Sequence, residues 1–218
     1  MKPLIKMKKL SIILLALFIT SFAQAQDAKK LLNEVSAKVK SYENIAIDFK
    51  YNLHNSKENV KQETRGDVTL QGDNYVLNML GTTRIFDGKN IYTIVPEDEE
   101  VTISAYNPQD DKDITPSKML TFYEKGYKYK MDIAQNIKGR KIQYVKLIPI
   151  DSNAEIKDIL LGVDVQTKHI YKLIQTDAQG TQYTLTVNSF KTNLPVSKTL
   201  FTFDESKYKN DGYYINRL

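Results

Sequence analysis

Residues 66–104 read GDVTLQGDNYVLNMLGTTRIFDGKNIYTIVPEDEEVTIS, and this stretch decides the fold. Short apolar/polar alternations are broken at Gly72-Asp73-Asn74, at Asp87-Gly88-Lys89 and at Pro96-Glu97-Asp98. Each break has a physical basis: Gly and Asn tolerate positive φ, Asp hydrogen-bonds its own backbone, and Pro presets φ. The stretch is a meander of antiparallel strands.

Working upstream, Ile45, Ile47, Phe49, Tyr51 and Leu53 alternate with Ala46, Asp48, Lys50 and Asn52, which is the period of a half-buried strand. Before it, Leu31, Leu32, Val35 and Val39 recur at helical spacing with lysines outside, so a helix is expected over residues 27–42, capped by Asp27. Downstream of the strand, further strands are expected over residues 60–70, 75–80, 83–86, 90–95, 100–106, 127–134, 141–149, 156–164, 170–177, 181–190 and 198–203. Residues 107–114 read as a polar loop. Thr115-Pro116 then supplies an N-cap and a first-turn proline for a short helix through Met119, Leu120, Phe122 and Tyr123, ended by Gly126. About eleven strands at roughly ten-residue spacing argue a mainly β fold, an incomplete (open) antiparallel β-barrel. Its inner face must be covered, and the N-terminal helix and the short inserted helix are the available lid.

The first 25 residues have the layout of a cleavable export signal. Lys2, Lys6, Lys8 and Lys9 precede a short apolar run, and Ala23-Gln24-Ala25 forms an A-x-A cleavage site. The apolar run is shorter than the ~20 residues that span a bilayer comfortably. Residues 26–218 are then expected as a single domain. Removing the four signal lysines from 31 basic residues leaves 27 against 26 acidic, so the balance is nearly neutral and gives no electrostatic case for nucleic acid. Cysteine is absent, so no disulfide and no lipid on an N-terminal cysteine is expected, and stability must come from the core and the sheet.

Catalytic parts are scarce. His54 and His169 sit at or near strand ends and read as solvated side chains rather than ligands. Glu97-Asp98-Glu99-Glu100 lacks the spacing and central Gly of a calcium loop and reads as a hairpin turn, and Asp110-Asp111-Lys112-Asp113 reads as an exposed loop. Tyr127-Lys128-Tyr129-Lys130 interleaves aromatic and basic residues, as any half-buried strand does with Tyr inside and Lys outside. No zinc spacing, G-x-S-x-G elbow or phosphate-cradling loop is found. The expectation is no enzyme, no cofactor and no metal. The apolar faces remain, and they either fill a packed core or line a cavity for a hydrophobic ligand.

The order of certain segments resembles the LolA family of outer-membrane lipoprotein carriers. The matching pieces are the first helix leading into Ile47-Asp48-Phe49-Lys50-Tyr51, Arg65-Gly66-Asp67-Val68, Tyr75-Val76-Leu77-Asn78-Met79 and Phe86-Asp87-Gly88-Lys89 with Ile91-Tyr92. Thr115-Pro116-Ser117-Lys118-Met119-Leu120, Gly162-Val163-Asp164, Asp177-Ala178-Gln179-Gly180, Asn193-Leu194-Pro195-Val196 and Phe201-Thr202-Phe203 complete the pattern. The resemblance implies a monomeric periplasmic carrier that takes triacylated lipoproteins from an inner-membrane lipoprotein-releasing transporter to an outer-membrane acceptor. A LolA-like module that binds or senses another lipid or amphiphile is the alternative. Carried over, the cavity lining is expected from Ile47, Phe49, Tyr51, Tyr75, Leu77 and Met79. The lid is expected from Leu32, Val35 and Val39 on the first helix, and from Met119, Leu120 and Phe122 on the second. The family's usual tryptophan in the strand at residues 75–79 is missing, and no basic residue stands in Gln71-Gly72-Asp73 before it.

Overall fold

The computed structural model describes residues 25–107 and 115–218. The expected export signal and the loop with Asp110-Asp111-Lys112-Asp113 lie outside the described residues, except for Ala25 and Asn107 at their borders. Helix α1 (residues 25–40) buries a stripe of Ala28, Leu31, Leu32 and Val35, as its spacing requires. Asp27 lies inside this helix rather than capping it, because Ala25 and Gln26 are already helical.

Twelve strands are found among the described residues. They are β1 (Asn44–Asn55), β2 (Val60–Gln71), β3 (Asn74–Met79), β4 (Thr82–Phe86), β5 (Asn90–Val95), β6 (Glu100–Ala105), β7 (Tyr127–Ile137), β8 (Arg140–Pro149), β9 (Ile156–Asp164), β10 (Ile170–Asp177), β11 (Gln182–Thr192) and β12 (Tyr214–Arg217). They form one sheet in the order β12-β6-β5-β4-β3-β2-β1-β11-β10-β9-β8-β7. Neighbours are antiparallel except β12, which runs parallel to β6. The terminal strands β7 and β12 do not pair with each other, so the barrel stays open.

The predicted turns act as their residues require. At Asp87, Oδ1 accepts hydrogen bonds from the backbone N–H of Lys89 (2.9 Å) and Asn90 (2.7 Å), while Tyr92 Oη donates to Oδ2. Pro96–Asp98 forms one 3-10 turn. In the inserted segment, helix α2 (Pro116–Met119) is capped by Thr115, whose Oγ1 accepts from Lys118 N at 3.3 Å, and a 3-10 turn over Phe122–Glu124 follows.

The expected strand at residues 198–203 is not formed. Leu200 N donates to Ser197 O and Thr202 N to Thr199 O, while Ser197 and Thr199 share a side-chain hydrogen bond at 2.9 Å. These hydroxyls offer the backbone local partners in place of a ladder. Helix α3 (Glu205–Asn210), capped by Asp204, and strand β12 follow instead.

Three apolar clusters result. One joins α1 to β8 and β9 through Leu32, Val35, Tyr123, Val145 and Leu161. A second gathers Ile45, Ile47, Phe49, Tyr75, Phe86 and Val187. A third, around Ile85, Ile94, Val101 and Ile103, packs against Phe203, Tyr208, Tyr213 and Ile215. Ile85 points away from its neighbour Phe86, as a strand demands, so the C-terminal segment covers the face of the sheet opposite the second cluster.

Candidate functional site

A cavity of about 530 Å³ lies between the sheet and α2. Its lining follows strand periodicity: Ile47, Phe49 and Tyr51 from β1, Val68 and Leu70 from β2, and Leu77 and Met79 from β3. Leu173 and Gln175 of β10 and Tyr183, Leu185 and Val187 of β11 form the other wall. Pro116, Met119 and Leu120 close it over the top. The α2 segment is tied to the sheet by Ser117 Oγ, which donates to Gly72 O at 3.3 Å, and by Lys118 Nζ, 5.8 Å from the Tyr106 ring centre.

Two lining residues are out of phase with their strands. Phe190 follows Val187 by three positions, so plain alternation would turn it to the opposite face. A bulge corrects this: Asp48 pairs with Ser189 and Phe49 with Val187, which leaves Asn188 unmatched and sets Phe190 opposite Ile47. The register break between Ile170 and Lys172 does the same for Ile170.

Among the strand residues expected to line a cavity, Ile47, Phe49, Tyr51, Leu77 and Met79 are found there, and Tyr75 is not. Tyr75 shares their face but is 2% exposed, because Phe86 stands directly opposite it on β4 with ring centres 5.7 Å apart, and Tyr106 packs on Phe86 in turn. It is core beside the cavity. Of the expected lid residues, Met119 and Leu120 line the cavity. Phe122 instead sits edge-on to Tyr123 and Tyr127. Leu32 and Val35 are buried against the β8–β9 part of the sheet, and Val39 touches both large clusters. Helix α1 thus packs as core against β8 and β9, while Met119 of α2 and Leu120 lie over the cavity.

The sequence alone assigns no residue of β2, β10 or β11 to the wall. The alternation Tyr183-Leu185-Val187 carries a signal for part of it; Phe190 carries none, since the bulge that turns it inward leaves no mark in the residue pattern.

His169 departs from the solvated reading. Its ring stacks on Phe190 at 4.0 Å between centres, and Nε2 is hydrogen-bonded to Tyr42 Oη at 2.7 Å. Burial, reinforced by the nearby Lys38 charge and opposed by Asp164, holds its pKa below the ordinary histidine value. His54 is exposed.

Among the described residues the lining holds no Asp, Glu, Lys, Arg or His, and its polar groups are the Gln175 amide and the hydroxyls of Tyr51 and Tyr183. Burial, then Tyr183, raises the Tyr51 pKa above its usual value, so its hydroxyl stays protonated at neutral pH. Among the described residues no group of three or more acidic or histidine side chains is placed to hold a metal. Such a lining can desolvate an apolar chain.

Residues 40–204 match the family described as outer membrane lipoprotein carrier protein LolA. The chain belongs to the LolA family. The LolA match ends before α3 and β12, so of the cover on the far face Phe203 lies inside it and Tyr208, Tyr213 and Ile215 outside. An uncharacterized conserved protein from Thermus thermophilus superposes with a TM-score of 0.56 at 10% identity, covering 85% of this chain and 98% of its own. A LolA superfamily protein from Nitrosomonas europaea gives 0.43 at 13% identity, with 81% and 97% covered. LprF from Mycobacterium bovis gives 0.49 at 14% identity, with 80% and 98% covered. No curated protein matches the chain. Among the described residues no helix is long and apolar enough to cross a membrane.

Proposed function

We propose that the protein is a periplasmic carrier that shelters the acyl chains of triacylated lipoproteins between the inner and outer membranes. In this reading residues 1–25 export the chain and are removed. An inner-membrane lipoprotein-releasing transporter loads it, and an outer-membrane acceptor unloads it. The observation that supports this best is the 530 Å³ cavity, lined by apolar side chains of five strands and covered by the short α2 segment rather than by helix α1.

The physical need is plain. Each buried methylene gains about 0.8 kcal/mol, so one long acyl chain left in water costs on the order of 10 kcal/mol. A carrier needs an apolar lining, a cover that can move and no chemistry. The α2 segment fits the second requirement: it is short, Met119 is 44% exposed, and among the described residues the side-chain hydrogen bond from it toward the sheet is that of Ser117 Oγ to the Gly72 carbonyl in the turn after β2.

The test is mass spectrometry of what accompanies the protein when it is isolated gently from its native host. Lipoproteins or triacylated peptides in the complex are the expected result. Reproducible recovery of a different lipid would move the assignment to a LolA-family module for another amphiphile. Recovery of nothing would mean that the cavity is a packing defect.

A further inference from the structure

The polar groups of the cavity are gathered at one end. Gln175 and Tyr183 are cross-strand partners on β10 and β11, and Tyr51 stands beside them, paired with Leu185 on the next strand. Tyr183 is close enough to Tyr51 to add to the upward shift that burial gives the Tyr51 hydroxyl. All three side chains are half-buried, whereas Ile47 and Ile170, toward the other end of β1 and β10, and Val68 and Leu70 of the neighbouring β2 are buried. The cavity therefore has a polar, partly open end and a dry one. Tyr183 Oη lies 3.4 Å from Asp177 Oδ2, at the outer limit of a hydrogen bond, and Tyr51 and Gln175 make no side-chain hydrogen bond among the described residues.

Size and charge then narrow the ligand. A methylene takes up the ~30 Å³ that a water molecule occupies in the liquid, so 530 Å³ holds one chain of sixteen to eighteen carbons and not three. The carboxylate of a free fatty acid would arrive at an end lined by neutral groups, with Asp177 as the charge next to Tyr183. Drawing it partly out of water beside Asp177 without a counter-charge is costly, whereas an ester or amide carbonyl needs only a donor. The tyrosine hydroxyls and the Gln175 amide are such donors. Arg84, opposite Leu77 on β4, is one strand beyond the lining and away from this end.

Building on the carrier reading, we infer that the cavity takes one acyl chain at a time, in ester or amide linkage, with Tyr51, Tyr183 and Gln175 holding the linkage at the half-open end. These three are specificity-determining residues: they select the uncharged linkage over the free acid. The other chains of a triacylated cargo are sheltered only when α2 moves off β2 and β3.

The experiment uses the protein expressed as the full chain and two probes, monopalmitoylglycerol and palmitate, at pH 8 and below their micelle concentrations. Binding is read by titration, and stoichiometry by native mass spectrometry. One monopalmitoylglycerol per protein is expected, bound at least ~10-fold more tightly than palmitate, since only palmitate brings an uncompensated charge. Gln175→Arg should reverse the order by giving palmitate a counter-ion, and Gln175→Leu should weaken monopalmitoylglycerol without helping palmitate. Equal binding of the two probes would overturn the inference and point to Arg84 as a counter-ion. Two or more chains per protein, or no response to Gln175→Arg, would overturn it as well. Failure of both probes to bind would sink the carrier reading itself, an outcome distinct from the other three.

Discussion

The ring of Phe49 lies over Gly66, its cross-strand partner on β2: a Cβ at Gly66 would stand 2.6 Å from Phe49 Cζ and 2.6 Å from the Asn78 carbonyl oxygen. The cavity wall thus depends on a missing side chain. Phe49 can lie flat against β2 only because nothing projects from residue 66, and its flat pose leaves the space that Met79 and Tyr51 border. Gly66→Ala should cost about 1–3 kcal/mol, as overpacking a filled site does. Phe49→Leu in the same chain should recover part of that loss, since it relieves the ring contact and leaves the Asn78 contact. Urea unfolding of the two single variants and the double variant checks this; simple additivity would show that the two residues do not press on each other.

That relationship marks how far the sequence could be read. The strands around Phe49 and Gly66 were legible because alternation and turn residues are local signals, and the meander over residues 66–104 followed from them. Tyr75 shows where locality stops. Its parity is that of Leu77 and Met79, yet a bulky partner across the ladder at Phe86 turns it from lining into core. Phe190 shows the opposite failure, because a bulge at Asn188 reverses its face and only the pairing of two distant strands creates that bulge. At the C-terminus, hydroxyl side chains captured the backbone of residues 197–202, and the sheet gained its last strand from the tail by a parallel pairing that no turn signal announces.

Tyr123 ties α1 to the inserted segment. It is 1% exposed, and its hydroxyl accepts a hydrogen bond from Ser36 Oγ at 3.2 Å. Burial pushes its pKa up to about 12, so it stays neutral throughout the physiological range. Tyr123→Phe should cost about 1 kcal/mol, the worth of one buried hydrogen bond, and Tyr123→Ala about 3–5 kcal/mol through the cavity it leaves. Chemical denaturation separates the two. A Tyr123→Phe variant as unstable as Tyr123→Ala would mean that the hydroxyl, and not the ring, holds the helix.

His169 should make stability fall on mild acidification. Its pKa is lowered in the folded state by burial and by Lys38, so between the folded value and the ordinary ~6.5 the unfolded chain binds more protons. The stabilisation is complete above ~6.5 and is lost as pH drops from there through the folded value. The charged groups around it are Lys38 and Glu34 on α1, Asp164 on β9 and Lys168 in the following turn, where Lys168 Nζ pairs with Glu34 at 2.7 Å. Glu34 is itself held below its ordinary value by its hydrogen bond to Lys168. Melting temperature against pH should therefore slope downward from pH 7 to 5, and His169→Gln should flatten that slope. An unchanged slope would assign it to other groups.

A carboxylate placed in the cavity should abolish lipid binding, but the choice of position decides how cleanly. Leu77 faces Arg84 across β4, so Leu77→Glu brings in a charge that an existing cation can partly compensate. Leu185 faces Tyr51 on one side and Leu173 on the other, with no cation at either position, so Leu185→Glu meets only neutral groups. Both residues are half-buried, which lets the variants fold with the new side chain solvated at the cavity edge. Leu185→Glu should lower affinity for monopalmitoylglycerol at least ~100-fold, because the chain must desolvate an unpaired carboxylate as it enters. Leu77→Glu should lose less, and the gap between the two should widen when Arg84 is kept and close when it is replaced by Gln. Circular dichroism of each variant verifies the fold, and titration reads the affinity. If Leu185→Glu folded and still bound the lipid as tightly as the parent, β11 would not be a wall of the binding site, and the chain would have to lie along β1–β3 alone.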